Sequence, residues 1–273
     1  MIFREIPSTN ELLPVMGIGT WKAFDASDAT SMTRLGEVIA VMHNGGGTLI
    51  DSSPMYGRAE EVIGQLTSGL KTSDDFFYAT KVWTEGREAG IHQMNESMRL
   101  MQRNSIDLMQ IHNLVDWKTH LKTLRDWKES GKVRYIGITH YTDAMHDELA
   151  RIIGEVSLDF VQFNYSITAR NAEKRLLPAA ADKGIATLIN RPLGEGKLMA
   201  AVRDQPLPVW ASDHGIASWG QFFLKFIIAH PAVTCVIPGT GNPDHMRDNI
   251  EACQGELPDE QGRIKMAAYV AAI

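Results

Sequence analysis

Three apolar runs, each ending on an ionisable side chain and spaced about 30 residues apart, restrict the fold of this chain more than any other feature. Thr48 to Ile50 runs into Asp51, the run from Phe76 ends on Lys81, and the run from Ile106 ends on His112. A polar loop and a helical pattern follow each run. A buried strand that leaves through a polar tip into a loop and a helix is the repeating unit of parallel α/β folds. In such folds the strand ends and the loops after them carry the chemistry. With the three strands side by side and parallel, a carboxylate, an ammonium and an imidazole meet at one rim. The loop after Asp51 adds Tyr56, between Pro54 and Gly57. Glu60 and Glu61 then open a helix, where the helix dipole favours acids.

The same cadence extends in both directions. Residues 2–15 read as a short hairpin capping one end. Strands are predicted at residues 16–21, 48–51, 76–81, 106–112, 133–138, 159–164, 185–190 and 233–238. Helices are predicted at 29–44, 58–67, 87–103, 117–130, 143–153, 172–183, 212–229, 243–253 and 259–271. Gly17 and Gly19 permit close approach of another backbone or a ligand, and Gly45 to Gly47 supply a left-handed helix stop. Residues 191–212, rich in Gly and Pro, read as a loop over one face. Eight strands alternating with helices predict a parallel sheet. In a chain of 273 residues, eight units favour closure into a (β/α)8 TIM barrel of about 250 residues. The expected architecture is therefore one domain over 1–273, with an N-terminal β-hairpin and additional C-terminal helices.

Bulk properties narrow the function classes. Hydrophobic residues make up 44% and charged residues 22% of the chain, ordinary for a globular protein. A formal net charge of −6 gives no electrostatic support for a nucleic-acid or anionic-membrane partner. Cys235 and Cys253 have no metal or redox spacing, which suggests a reduced, cytoplasmic setting and no metal site. The first residues lack a basic-then-apolar signal pattern, and no apolar run approaches the roughly 20 residues of a membrane span. No G-x-G-x-x-G follows a strand, so an ordinary Rossmann dinucleotide site is unsupported.

A phenol, an ammonium, a carboxylate and an imidazole at one rim suit proton transfer to an oxygen. Tyrosine, with a pKa near 10, is a poor acid at neutral pH, and a neighbouring ammonium such as Lys81 is expected to lower that value. Asp51 would keep Lys81 charged, and His112 would orient a carbonyl oxygen. Singly, each residue has an ordinary explanation as helix cap, turn packing, solvated charge or core histidine. Recurrence at successive strand ends sets them apart. Trp21, Trp83 and Asn113 fall in the same exit loops, as rim packing or as walls for an apolar carbonyl substrate. None of these groups carries hydride, so a second reactant is required.

Gly17-Ile-Gly-Thr-Trp21, the stretch from Asp51 to Gly64, Ala79-Thr-Lys-Val-Trp83 and Gln110-Ile-His112 resemble motifs of the aldo-keto reductase superfamily, nicotinamide-dependent (β/α)8 barrels. The resemblance spans nearly the whole chain. It implies Tyr56 as proton donor, Lys81 and Asp51 as its tuners, His112 as carbonyl orienter, and hydride passing from the nicotinamide to the carbonyl carbon. It places Gly19, Thr20, Trp21 and Asp51 against the cofactor. Thr139 and His140 stand where the family's Ser-Asn pair holds the carboxamide, Gln162 matches its amide partner, and Asn190 replaces a stacking aromatic. Arg191, Pro192, Leu193, Gly194, Gly196 and Lys197 resemble the pyrophosphate loop. Ile237, Pro238, Gly239 and Thr240 resemble the adenosine-phosphate segment, with Gly239 in place of a lysine and His245 in place of an arginine. Asp248 and Asn249 fit the adenine-side pair. The implied cofactor is NADP(H), with NAD(H) as the alternative. The implied partner is a small-molecule carbonyl substrate, bound by Trp21, Tyr56, Trp83, His112 and Asn113 in a monomer or weak homo-oligomer. Longer relatives carry a covering loop after the last helix, so a more open pocket is expected. Two other readings stand beside this one: a nicotinamide-binding regulatory or sensor subunit, and a cofactor-free barrel lyase or isomerase.

Overall fold

A hairpin comes first in the structure, a computed structural model that describes residues 1–273. Strand β1 (Phe3–Ile6) pairs antiparallel with β2 (Glu11–Pro14). Its Ile6 and Leu13 join a buried cluster with Leu49, Phe77, Leu108, Tyr135 and Phe160, so the hairpin plugs the end of the barrel opposite the polar strand tips.

The barrel strands are β3 (Ile18–Gly19), β4 (Leu49–Asp51), β5 (Phe77–Val82), β6 (Ile106–His112), β7 (Val133–Thr139), β8 (Phe160–Asn164), β9 (Ala186–Asn190) and β10 (Cys235–Val236). All pair in parallel with their sequence neighbours. The ring closes through backbone alone. Gly17 N donates to Val236 O at 2.9 Å, Val236 N to Val15 O at 2.9 Å, and Gly19 N to Pro238 O at 3.2 Å. The glycines make this possible: a Cβ on Gly17 would stand 2.6 Å from Leu49 O, and one on Gly19 2.9 Å from Ile237 O. The close approach expected of them is thus that of neighbouring strands.

Between and after these strands lie α1 (Ala29–Asn44), α2 (Ala59–Thr67), α3 (Arg87–Leu100), α4 (Trp117–Glu129), α5 (His146–Glu155), α6 (Leu176–Asp182), α7 (Lys197–Ala201), α8 (Trp219–Ile228), α9 (Pro243–Glu251) and α10 (Glu260–Ala271). Strand alternation sorts the side chains. In β5, Phe77 and Ala79 face the barrel interior, whereas Tyr78 and Val82 join the layer under the helices. The same parity brings Lys81, next in the inward series, to the open rim. Helix starts follow capping chemistry: Asp28, Ser218, Asn242 and Asp259 each accept a backbone N–H of the first turn.

Several boundaries differ from expectation. The first and last barrel strands shrink to two residues each, because beyond the closing bonds their neighbours bend into site loops. The helices expected at 143–153, 172–183 and 212–229 each begin as a separate 3-10 turn, at Asp143–Met145, Asn171–Lys174 and Val209–His214. The interval 191–212 is not plain loop: it contains a 3-10 turn and α7. No helix is long and apolar enough to cross a membrane.

Candidate active site

The strand tips converge on one buried ion pair. Lys81, fully buried, donates from Nζ to Asp51 Oδ2 and to the Ser52 carbonyl, each at 2.6 Å. The other carboxylate oxygen, Asp51 Oδ1, accepts from Gln110 Nε2 and Gln162 Nε2, both at 2.9 Å. Gln162 Nε2 also reaches Gln110 Oε1 at 3.1 Å. A buried charge pair is tolerable when its remaining lone pairs are satisfied, and here two amides reaching across the barrel from β6 and β8 satisfy them. Burial alone would lower the Lys81 pKa; Asp51, and Tyr56 after it, outweigh burial and hold it above its ordinary value. Gln110 stood unassigned in the QIH motif, because nothing local shows that its amide meets Asp51.

Tyr56 lies over this pair, with the Lys81 ammonium 4.9 Å from its ring centroid. Its ring meets His112 edge-on, the centroids 5.8 Å apart at 87°. The expectation of a lowered phenol pKa is corrected: burial raises it, and Lys81, the largest opposing influence, does not fully offset that. Tyr56 therefore holds its proton, and the ammonium favours the phenolate once that proton leaves. His112 is neutral, its pKa pushed down to about 2 by burial and then by the Lys81 charge. Its Nδ1 lies 2.9 Å from Ser53 Oγ. With the hydroxyl donating to Nδ1, Nε2 carries the proton and becomes the free donor of the ring. Ser53 was missed in the sequence; the signal was its place two residues past the strand tip.

Behind the site, Glu60 is buried and accepts from Thr80 Oγ1, beside Lys81 on β5, while burial raises its pKa. Of the two acids at the start of α2, only Glu61 faces solvent, where it pairs with Arg58.

The residues matched to cofactor contacts fall into two sets. Some take partners within the framework. Buried Thr20 donates to the Asp51 carbonyl or Ser52 Oγ, both at 3.0 Å, and Ile237, Pro238 and Gly239 run along the closing seam. Gln162 is saturated by Asp51, Gln110 and Thr139, whose hydroxyl donates to Gln162 Oε1 at 3.2 Å. Asp248 accepts from Ser218 Oγ at 2.6 Å and Gln221 Nε2 at 2.7 Å, fastening α9 to the start of α8. Asn249 is buried beside it.

The others border the open rim. Arg191 pairs with Glu195 at 2.9 Å and stacks on Tyr141 at 4.2 Å. Tyr141 in turn stacks on His140, with centroids 5.2 Å apart. Arg191, Gly194, Glu195 and Gly196 all have left-handed backbones, so this loop is tightly curled. Pro192 and Leu198 are buried under it, with Leu193 packed on the core, and Lys197 is exposed and forms no ion pair. Thr240 Oγ1 lies 3.5 Å from His245 Nδ1. Asn190 leaves one acceptor at the rim without a partner. Its Nδ2 faces two acceptors, Gln162 Oε1 and the His140 carbonyl, at 3.4 and 3.5 Å. That fixes the amide orientation and leaves Asn190 Oδ1 enclosed without a donor. A carboxamide N–H is the complementary group, and Arg191 with Lys197 offers cations for a diphosphate, so the residues fit a nicotinamide dinucleotide.

Trp21 and Trp83 are 39% and 41% exposed, enough to offer apolar walls at the rim. The Trp83 ring lies 6.3 Å from that of His112. Asn113 and Leu114, directly after His112, have φ of 52° and 59°. Such backbones concentrate at functional sites.

Known proteins include relatives of this chain. The model of the Aldo/keto reductase family matches residues 15–267. Methylglyoxal reductase YeaE of Escherichia coli (strain K12) is 27% identical, the match covering 95% of this chain and 92% of the relative. The NADH-specific methylglyoxal reductase of the same organism is 26% identical, over 94% and 95% of the two chains. An aldo-keto reductase from Klebsiella pneumoniae, solved in complex with NADPH, superposes with a TM-score of 0.83 at 22% identity, covering 99% of this chain and 96% of that one. A barrel closed by eight parallel strands, a tyrosine beside a buried lysine at its rim, and a family match over nearly all of its length lead to one assignment: the chain belongs to the Aldo/keto reductase family and is an oxidoreductase of that fold.

Proposed function

We propose that this chain, acting as one domain, reduces aldehydes or ketones to alcohols with NADPH, NADH being the alternative reductant, and that Tyr56 delivers the proton. The observation that carries this reading is a phenol packed between a buried, paired ammonium and a neutral imidazole. The Escherichia coli relatives named for methylglyoxal, one of them NADH-specific, and the Klebsiella pneumoniae protein bound to NADPH support the substrate class and both reductants.

A bound reduced nicotinamide supplies the hydride such a reduction needs. The chain's own side chains do the rest. Tyr56 and His112 Nε2 each donate a hydrogen bond to the carbonyl oxygen, and so favour the negative charge that develops there. His112, neutral across the working pH range, orients without competing as an acid. The Tyr56 proton then passes to that oxygen. Lys81 stabilises the phenolate left behind, held charged by Asp51 and fixed in place by the Ser52 carbonyl. Thr139, His140 and Asn190 would hold the nicotinamide end. Arg191 and Lys197 would hold the diphosphate, and Thr240, His245 and Asn249 the adenosine end. Trp21, Trp83 and Asn113 would wall the substrate. A regulatory barrel that only senses the cofactor has no use for this proton-delivery set.

The test is Tyr56→Phe. It is expected to lower kcat by about 10²- to 10⁴-fold while NADPH affinity, measured by fluorescence titration, stays within a few-fold. Unchanged turnover overturns the role given to Tyr56.

A further inference from the structure

One side chain outside the catalytic group holds Trp83 with unusual economy. Gln93, in the second turn of α3, accepts from Trp83 N at 2.5 Å through Oε1 and donates to Trp83 O at 3.2 Å through Nε2. The backbone N–H can only donate and the carbonyl can only accept, so the amide orientation is fixed by its partners. The pair of bonds repeats what a neighbouring strand would exchange with that residue, although Trp83 lies just past the end of β5. The rest of the loop is tied in the same manner. Buried His120 donates from Nε2 to Thr84 O at 2.7 Å, and Gly86 N donates to Asp116 Oδ2 at 2.8 Å. Asp116 itself has φ 43°, in the left-handed turn that follows His112. The loops leaving β5 and β6, which carry Trp83 and Asn113, are therefore latched to each other and to α3 and α4.

We propose that Gln93 is a positioning residue for substrate specificity: by fixing both backbone groups of Trp83, it holds the indole as a rigid wall beside His112, and that wall selects carbonyl compounds bearing an aromatic ring over small ones. This rests on the reductase reading above. An exposed tryptophan on an untethered loop would have to be ordered at each binding event. On a clamped loop that ordering is complete beforehand, and the apolar face is ready for a flat partner. A substrate too small to reach the indole gains nothing from the clamp.

The experiment compares Gln93→Leu, Gln93→Glu, Trp83→Ala and the double variant Gln93→Leu/Trp83→Ala, with 2-naphthaldehyde and methylglyoxal as substrates. Gln93→Leu is expected to raise KM for the naphthaldehyde about tenfold, the scale of one lost oriented contact. For methylglyoxal kcat/KM, and for NADPH the Kd, should stay within about twofold. Gln93→Glu keeps the acceptor for Trp83 N but loses the donor to Trp83 O, and should fall between. In the Trp83→Ala background Gln93→Leu should add nothing. Equal losses for both substrates, loss of NADPH binding, or an undiminished effect in the Trp83→Ala background would overturn the proposal, as would no effect at all. A wild-type protein that binds NADPH yet reduces no carbonyl compound would overturn the reductase reading instead. The clamp is then decided by 19F spectra of 5-fluorotryptophan protein, with the Trp83 signal identified from Trp83→Phe. A shifted and narrowed signal in Gln93→Leu supports it, and an unchanged one refutes it.

Discussion

Replacing Lys81 by methionine removes the cation on which the whole rim is built, and the structure sets the size of the effect. Lys81 is fully buried, and Asp51 is 2% exposed. Without the ammonium, the Asp51 carboxylate keeps its two glutamine donors but loses its only counter-charge. Breaking a buried pair from one side costs about 3–5 kcal/mol. At about 2.1 cal/mol/K of unfolding entropy per residue, a chain of 273 residues loses about 1.7 °C of Tm per kcal/mol, so Lys81→Met should melt about 5–9 °C lower. Turnover should fall by about 10²- to 10⁴-fold, because the phenolate loses its stabilising charge. The two effects separate in Asp51→Asn/Lys81→Met, which removes both charges together: most of the lost Tm should return and none of the activity. Calorimetry with steady-state kinetics on Lys81→Met, Asp51→Asn and the double variant checks this. A single variant melting within 1 °C of wild type (about 0.6 kcal/mol), or a double variant whose losses simply add, refutes the argument that the pair is coupled in isolation from solvent.

Three further outcomes are expected. The His112 pKa is depressed from 6.5 to about 2, so the stability that comes from burying a neutral imidazole is complete above pH 6.5. It is lost on acidification at up to about 1.4 kcal/mol per pH unit. Chemical denaturation at pH 6.5 and 4.5 should therefore show wild type losing about 2–3 kcal/mol that His112→Gln does not lose. Gly64→Ala should destabilise by about 1–3 kcal/mol with little change in KM, because the added Cβ would stand 2.1 Å from the Leu100 carbonyl where α2 crosses the end of α3; an unchanged Tm counts against that packing. Glu195→Gln frees Arg191 from a half-exposed ion pair worth about 0.2–1 kcal/mol. NADPH should then bind about two- to fivefold more tightly in a fluorescence titration, and weaker binding would mean that Arg191 does not meet the diphosphate.

The chain by itself determined which side chains reach the rim. Strand parity admits one choice: once Phe77 and Ala79 face inward, so does Lys81, and the same holds for Asp51 and His112 on their strands. The eightfold cadence and the capping hairpin were legible for the same reason, since periodicity and turn chemistry are local. Only the tertiary structure decided what depends on residues distant in sequence. Closure of the ring rests on backbone bonds between Gly17, Gly19, Val236 and Pro238: the two glycines announce a close approach, but backbone partners carry no side-chain pattern that names them. The Tyr56 pKa direction turned on burial, which outweighed the lysine that the motif brought beside it. Gln110 and Gln162 found Asp51 across intervals of 59 and 111 residues, and Asp248 found Ser218 and Gln221 at the start of α8. In each case a polar group took the partner that folding placed within reach, and that choice is made only when the strands close.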